Sequence, residues 1–416
     1  MPRGRLFYGW WIVVALGVTT IVSYGTSQYL FGLLVDPVSR DLGMDRASIG
    51  LAYSGVVLVG GFAGLVLGPA LDRFGARVLL SAGSVISGVS LLAIARTHSP
   101  LAFTLLWTAG IGAGTALTYY PVTMTVVANW FDRSRTRALS ALTFMGAFSS
   151  TLTYPIAGAL IAHAGWRECV AILGVVQLLV TLPLHALVVR RHPEDVGLFP
   201  DGAREAGPST PLSGIPFRTA LRSAAFWLPT IAISLAYFAS TAVLLEHVAY
   251  LIRGGYAPTF ASAIVGLFGL AYLPGRWLVA WAADRVGLTS LFAATFAIEA
   301  LGIALLAFVP ALPGVVAYVC TFGAAYGATS PLRGALMGQR FGRRAYGAIL
   351  AAQGVPVGIV AALGPVVTGR LIDTLGYRAA FAGCIAALLL AAAIVSRPAG
   401  RTEASGGARG LASPVP

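Results

Sequence analysis

Gly68-Pro69-Ala70-Leu71-Asp72-Arg73-Phe74-Gly75-Ala76-Arg77 has a partial echo in Ala280-Trp281-Ala282-Ala283-Asp284-Arg285-Val286-Gly287, at an offset of 212 between the two aspartates. The echo does not stand alone. Trp130-Phe131 returns as Arg340-Phe341 and Pro155 returns as Pro365, both at an offset of 210. Gly158-x-Leu160-Ile161 with Gly165-Trp166-Arg167 returns as Gly369-x-Leu371-Ile372 with Gly376-Tyr377-Arg378, at 211. One near-constant offset, held over half the chain, marks an internal duplication.

The sequence between these landmarks is apolar. Only 10% of the 416 residues are charged, 57% are hydrophobic and the mean hydropathy is +0.82, whereas soluble chains carry roughly 25% charged residues. Hydropathy, charge and Pro/Gly punctuation predict spans over residues 8–34, 48–70, 78–97, 101–127, 138–162 and 167–189, then 224–251, 259–283, 288–309, 312–335, 346–371 and 378–396. Helices of these lengths cross a hydrocarbon core of about 30 Å. The expected fold is therefore an all-α membrane protein of 12 transmembrane helices in two pseudo-symmetric six-helix bundles. Six spans separate each matching pair, so the repeats are parallel, related by an axis along the membrane normal, with a cavity between them.

The formal net charge is +13, and all 28 basic side chains are arginine. Arg3, Arg5, Arg73, Arg77, Arg133, Arg135, Arg137, Arg190, Arg191, Arg218, Arg222, Arg285, Arg340, Arg343, Arg344 and Arg397 fall at one side of the spans, and only Arg40, Arg46, Arg96, Arg167, Arg253, Arg370 and Arg378 at the other. That asymmetry predicts a multi-pass protein of the inner (plasma) membrane with both termini cytoplasmic, and it argues against nucleic-acid binding. Residues 1–189 and 223–397 form the two bundles. A polar stretch, 190–222, links them on the cytoplasmic side, and 398–416 is expected to be a disordered cytoplasmic tail. Met1–Tyr8 leads into the first span without a small-residue cleavage site, so it reads as part of that span rather than a removable signal. Cys169, Cys320 and Cys384 lie in apolar spans without metal or redox spacing and read as core residues.

The stretch from Gly68 to Arg77 fits G-x-x-x-D-R-x-G-x-R/K at every fixed position, the loop signature of the major facilitator superfamily. With the duplication, the chain resembles that superfamily over essentially its full length. The second copy keeps Asp284, Arg285 and Gly287 but lacks the leading glycine and the final basic residue. Paired across helix ends, Gly68, Asp72, Arg73, Gly75 and Arg77 with Asp284 and Arg285 would make cytoplasmic gating loops; ordinary topogenic charge is the alternative. Phe7-Tyr8-Gly9-Trp10-Trp11, Pro193-Glu194-Asp195-Val196-Gly197 with Pro200-Asp201-Gly202, and Ala220-Leu221-Arg222 before Phe226-Trp227 look like the bacterial monocarboxylate and oxalate/formate transporter group.

Charges at membrane depth are costly and therefore informative. Arg276, in Tyr272-Leu273-Pro274-Gly275-Arg276-Trp277, is the foremost substrate-binding candidate, because a forked guanidinium suits a carboxylate. The resemblance implies the same role; a structural ion pair or snorkelling to the surface are the alternatives. Where oxalate-exchanging members place a lysine, this chain has Gln353, which turns the expectation toward monocarboxylates or leaves Gln353 a packing hydrogen bonder. The resemblance also places Gln28, Tyr29, Tyr120 and Tyr326 at the cavity. Glu246 and His247 near the end of the seventh span are either a proton-coupling pair or an interfacial gate. Glu299 reads as a structural hydrogen bonder. Animal monocarboxylate carriers have an aspartate one turn before the arginine, where this chain has Tyr272, so proton handling by that pair is not expected.

The expected function is secondary active transport of a small organic anion, a monocarboxylate, by alternating access, as symporter, antiporter or uniporter, with protons as the candidate coupling ion. Export of an unrelated amphipathic compound is the alternative, since fold does not fix substrate. No H-E-x-x-H, G-x-S-x-G or phosphate-cradling G-K-S/T occurs. No enzyme activity, cofactor or metal is therefore expected. The chain is expected to act as a monomer in the lipid bilayer.

Overall fold

The computed structural model describes residues 7–131, 134–190, 192–202, 214–309, 311–342 and 345–397, without the side chains of residues 64, 65, 68, 69, 72, 136, 280, 281, 283 and 284. The expected tail and most of the central linker, together with Arg133, Arg191, Arg343 and Arg344, lie outside these residues. Among the described residues the apolar spans are α1 (Tyr8–Leu42), α2 (Arg46–Ala63), α3 (Arg73–Arg96), α4 (Pro100–Trp130), α7 (Ala224–Arg253), α8 (Pro258–Val279), α9 (Leu288–Phe308), α10 (Leu312–Phe341), α11 (Tyr346–Leu375) and α12 (Tyr377–Val395). An eleventh stretch, Arg137–Val188, has 52 residues, which as one straight helix would run roughly 78 Å, more than twice a hydrocarbon core. It turns at Gly165, where φ is 84° and ψ 167°. Residues 137–164 are α5 and 166–188 are α6, which makes twelve spans.

The duplication is visible in the backbone. Gly165 between α5 and α6 has its counterpart in Gly376 between α11 and α12 (φ 83°, ψ 171°). Gly75 at the start of α3 (φ 77°, ψ 155°) matches Gly287 before α9 (φ 82°, ψ 140°). These angles lie in a region that only glycine occupies readily. The loop glycines are thus needed for reversal of the chain whether or not the neighbouring charges gate anything.

Two departures from the sequence expectation concern α1 and the cysteines. The predicted end at residue 34, set by Asp36 and Pro37, is passed, and the helix continues to Leu42 before Gly43 (φ 65°) ends it. Asp36 is accommodated because Arg46 reaches back to it at 2.6 Å. Cys169 and Cys384 are buried as expected, whereas Cys320 is exposed on α10.

An even number of spans places the two ends of the described chain at one face of the bundle, the terminal face, with the opposite face distal. The halves meet along three seams that begin at the distal face. On α2 and α11, a Cβ at Gly50 would lie 2.8 Å from the Pro365 carbonyl, Ser54 donates to the Ala362 carbonyl, and Gly61 approaches Gly358. Between α5 and α8, Gly266 meets Pro155, and Gly269 meets the Ala147 carbonyl too closely for any side chain. Between α1 and α7, Gly32 faces the Leu244 carbonyl at 3.2 Å. Small residues serve here because helices in lipid associate by close backbone packing rather than by hydrophobic burial. Gly60, beside Gly61 on α2, points away from this seam: a Cβ there would meet nothing within 4 Å.

Candidate functional site

Arg276 sits where the α5–α8 seam ends. Gly275 brings α8 directly against the Ala324 carbonyl of α10, which leaves the arginine projecting away from α10 toward the other half. Its Nη1 donates to the Thr143 carbonyl of α5 at 2.7 Å. The Tyr120 hydroxyl of α4 is within hydrogen-bonding reach, and Tyr29 of α1 lies close enough to feel its charge. The side chain is half-buried, and among the described residues no carboxylate pairs with it. Among the described residues its partners are neutral, and about ten residues of helix still run from it to Val286, roughly 15 Å.

Tyrosines line the approach. Tyr29 is carried by a π-helical turn, Gly25–Tyr29, inside α1; such a turn inserts one residue and re-aims the side chains around it. Its neighbour Gln28 is half-buried. Tyr24 stacks on Tyr119 at 3.8 Å and tilts against Tyr120 at 5.1 Å, and Tyr119 shares a hydrogen bond of 2.5 Å with Ser27. On the facing half Tyr272 packs on Tyr326 at 5.5 Å, and Tyr326 on Tyr237 at 6.4 Å. Of the residues placed at the cavity by resemblance, Tyr29 and Tyr120 gather around Arg276. Tyr326 is joined to them through Tyr272.

Gln353 is fully buried on α11 and stands with a cation that the sequence reading passed over. Arg333 of α10 donates from Nε to the Gln353 Oε1 at 2.7 Å and from Nη2 to the Leu350 carbonyl at 3.1 Å. Gln353 Nε2 donates in turn to Thr230 at 3.2 Å. Tyr237 also lies within hydrogen-bonding reach of Arg333. The criterion that singles out Arg276, an arginine within an apolar span, applies equally to Thr329-Ser330-Pro331-Leu332-Arg333. The premise that Gln353 leaves a single cation does not hold.

Glu246 and His247 are neighbours in α7 but face different partners, as consecutive helical residues must. Glu246 accepts from Arg46 at 2.5 Å and from the Tyr377 hydroxyl at 2.9 Å, while the other arm of Arg46 reaches Asp36. This cluster joins α1 and α2 to α7 and α12 at the distal face, and all but Asp36 and Tyr377 are nearly inaccessible. His247 is held between Tyr154 of α5 at 2.9 Å and Tyr318 of α10 at 3.0 Å. Glu299 accepts from Ser240 of α7 and is buried.

Of the gating loops, Arg73, Arg77 and Arg285 are exposed at the terminal face. The backbones of Gly68, Asp72 and Asp284 are helical, but the side chains of Asp72 and Asp284 lie outside the described residues.

Comparison with known proteins gives a consistent family. The pattern of the Major Facilitator Superfamily matches residues 16–254 and 248–415. The uncharacterized MFS-type transporter YcxA of Bacillus subtilis is 25% identical over 183 residues, 44% of this chain and 45% of that protein. Human monocarboxylate transporter 11 is 29% identical over 398 residues, covering 90% of this chain and 80% of that one, and the 4-hydroxybenzoate transporter PcaK of Pseudomonas putida is 27% identical over 69% of this chain and 70% of its own. Among solved structures, an inward-facing bacterial homologue of the human lysosomal transporter Spinster superposes with a TM-score of 0.75 at 16% identity, over 94% of this chain and 97% of that one. The nucleoside transporter NupG gives 0.70 at 15%, over 93% and 100%. Twelve spans, a backbone that repeats its glycine turns, the loop motif and these matches agree that the chain is a multi-pass membrane transporter belonging to the Major Facilitator Superfamily.

Proposed function

We propose that this protein is a secondary transporter that moves a small organic carboxylate across the inner membrane by alternating access, with Arg276 taking the carboxylate. Arg276 carries this assignment: a guanidinium inside the bundle, hydrogen-bonded to neutral groups, placed where the seam between the halves gives out. A charge so placed is expensive without a counter-charge, and a bound carboxylate supplies one through two parallel charge-assisted bonds. The names of monocarboxylate transporter 11 and PcaK point the same way. The distal face is closed in this structure by the glycine contacts and the Asp36–Arg46–Glu246–Tyr377 cluster. In alternating access, substrate bound at Arg276 would favour parting of these distal seams.

The expectation of a monocarboxylate leaned on Gln353 standing without a cation, so the number of carboxylates is no longer fixed by it. His247, buried between tyrosines of both halves, is the better placed of the two coupling candidates, while Glu246 sits in the distal seal. Uptake of labelled mono- and dicarboxylates into proteoliposomes, with and without a pH gradient, tests the assignment. Carboxylate flux above protein-free vesicles supports it; flux of amphipathic compounds with no carboxylate flux defeats it. A pH gradient that drives no accumulation removes proton coupling alone.

A further inference from the structure

Arg333 is the second intramembrane arginine of the C-terminal half whose described partners are all neutral: Gln353, the Leu350 carbonyl and Tyr237. It lies eight residues before the end of α10 and Arg276 ten residues before the end of the helix that carries it, so the two start within about one helical turn of the same depth. Tyrosine rings connect them: Tyr237 beside Arg333, then Tyr326, then Tyr272, then Tyr29 beside Arg276. Gln353 and Leu350 hold the Arg333 fork by Nε and one edge of Nη2. These neutral partners leave the guanidinium charge unmatched among the described residues, and the side chain is half-buried.

Two fixed positive charges in the low-dielectric interior of the bundle are poorly served by one negative charge, because the unmatched cation still bears its desolvation cost. We infer that Arg333 is a second anion-recognising group and that the substrate carries two acidic groups, a dicarboxylate. This rests on the assignment of Arg276. Gln353 then acts as a positioning residue: its amide orients Arg333 and is itself held by Thr230. The cation that the sequence lacks at position 353 is supplied from α10.

The purified full-length protein in proteoliposomes is assayed by counterflow with a series of straight-chain dicarboxylates of increasing length and with the monocarboxylates of matching length. The wild-type protein is expected to favour one dicarboxylate over its monocarboxylate by roughly tenfold or more. Arg333→Gln should remove that preference, lowering dicarboxylate flux by about tenfold or more while monocarboxylate flux stays within about twofold. Should Arg333→Gln fail to fold, Arg333→Lys keeps the charge without the fork; its KM should rise for the dicarboxylate and not for the monocarboxylate. Equal losses for both classes, or wild-type flux of monocarboxylates alone, overturn the role of Arg333 and leave Arg276 standing. Absence of any carboxylate flux overturns both.

Discussion

The two faces of the inter-half interface are built by different means. From the distal face inward, close backbone approaches at Gly32, Gly50, Gly61 and Gly269 join the halves, and the Asp36–Arg46–Glu246–Tyr377 cluster fastens their distal end. At the terminal ends of the helices Arg73, Arg77 and Arg285 are exposed. The contrast teaches that the seal in this state is made of geometry plus one buried charge cluster. Such a seal is two-state, because packed backbones either fit or part.

The largest effect is expected at the charge cluster. Arg46→Gln leaves Glu246 buried without its cation and should weaken the distal seal by about 3 kcal/mol, on the order of a hundredfold in population. Labelling of a single cysteine placed at Ser54, approached from the distal side, reads this out. Adding Glu246→Gln should recover part of the loss, since two neutral amides cost less than one unpaired charge. Unchanged labelling in Arg46→Gln would show that the glycine contacts alone hold the face shut.

Next comes the backbone contact itself. Gly50→Val puts a side chain into the Pro365 carbonyl and should open the same reporter by about 2 kcal/mol. Gly60→Ala, ten residues along the same helix, should leave this state as stable or up to about 1 kcal/mol more so, since a Cβ there meets nothing and alanine favours helix. Equal effects at the two positions would show that the backbone contact at Gly50 does not hold the seam shut.

The turns that repeat between the halves should respond alike. Nothing lies within 4 Å of a Cβ at Gly165 or Gly376, so alanine at either costs only backbone strain, about 2 kcal/mol. Thermal unfolding in detergent should show matching losses, and a clear inequality would mean that the turns differ in more than backbone. The smallest effect is at Asp45, which caps α2 by accepting from the Ser48 amide at 2.7 Å. Asp45→Ala should cost about 1 kcal/mol. Hydrogen bonds from Ser48 hold the Asp45 carboxyl below the usual carboxylate range. Its contribution is therefore present at neutral pH and lost as the pH falls through that lowered value. Asp45→Asn should show no such acid loss.

Most of the fold could be read from the sequence, because its determinants are periodic or repeated. Apolar length sets the spans, and the offset of about 211 predicts matching turns in both halves. The end of α1 departs from the expectation because Asp36 and Pro37 look like a boundary, while the partner of Asp36, Arg46, lies beyond the turn. The site was legible only in part. Arg276 announces itself as a charge in an apolar span; Arg333 has the same signature, but its pairing with Gln353 depends on how α10 packs on α11. The different surroundings of Glu246 and His247 follow from helical phase, but which face meets Arg46 and which meets Tyr154 depends on how two distant halves dock. No local pattern encodes that.

The most direct test is counterflow of a labelled carboxylate by purified, folded Arg276→Gln protein beside wild type and Arg276→Lys. Loss of one partner of a desolvated charge pair costs about 2–5 kcal/mol, so Arg276→Gln should lose on the order of a hundredfold in transport efficiency, with Arg276→Lys retaining part of it. Wild-type carboxylate counterflow by folded Arg276→Gln would contradict the assignment of Arg276.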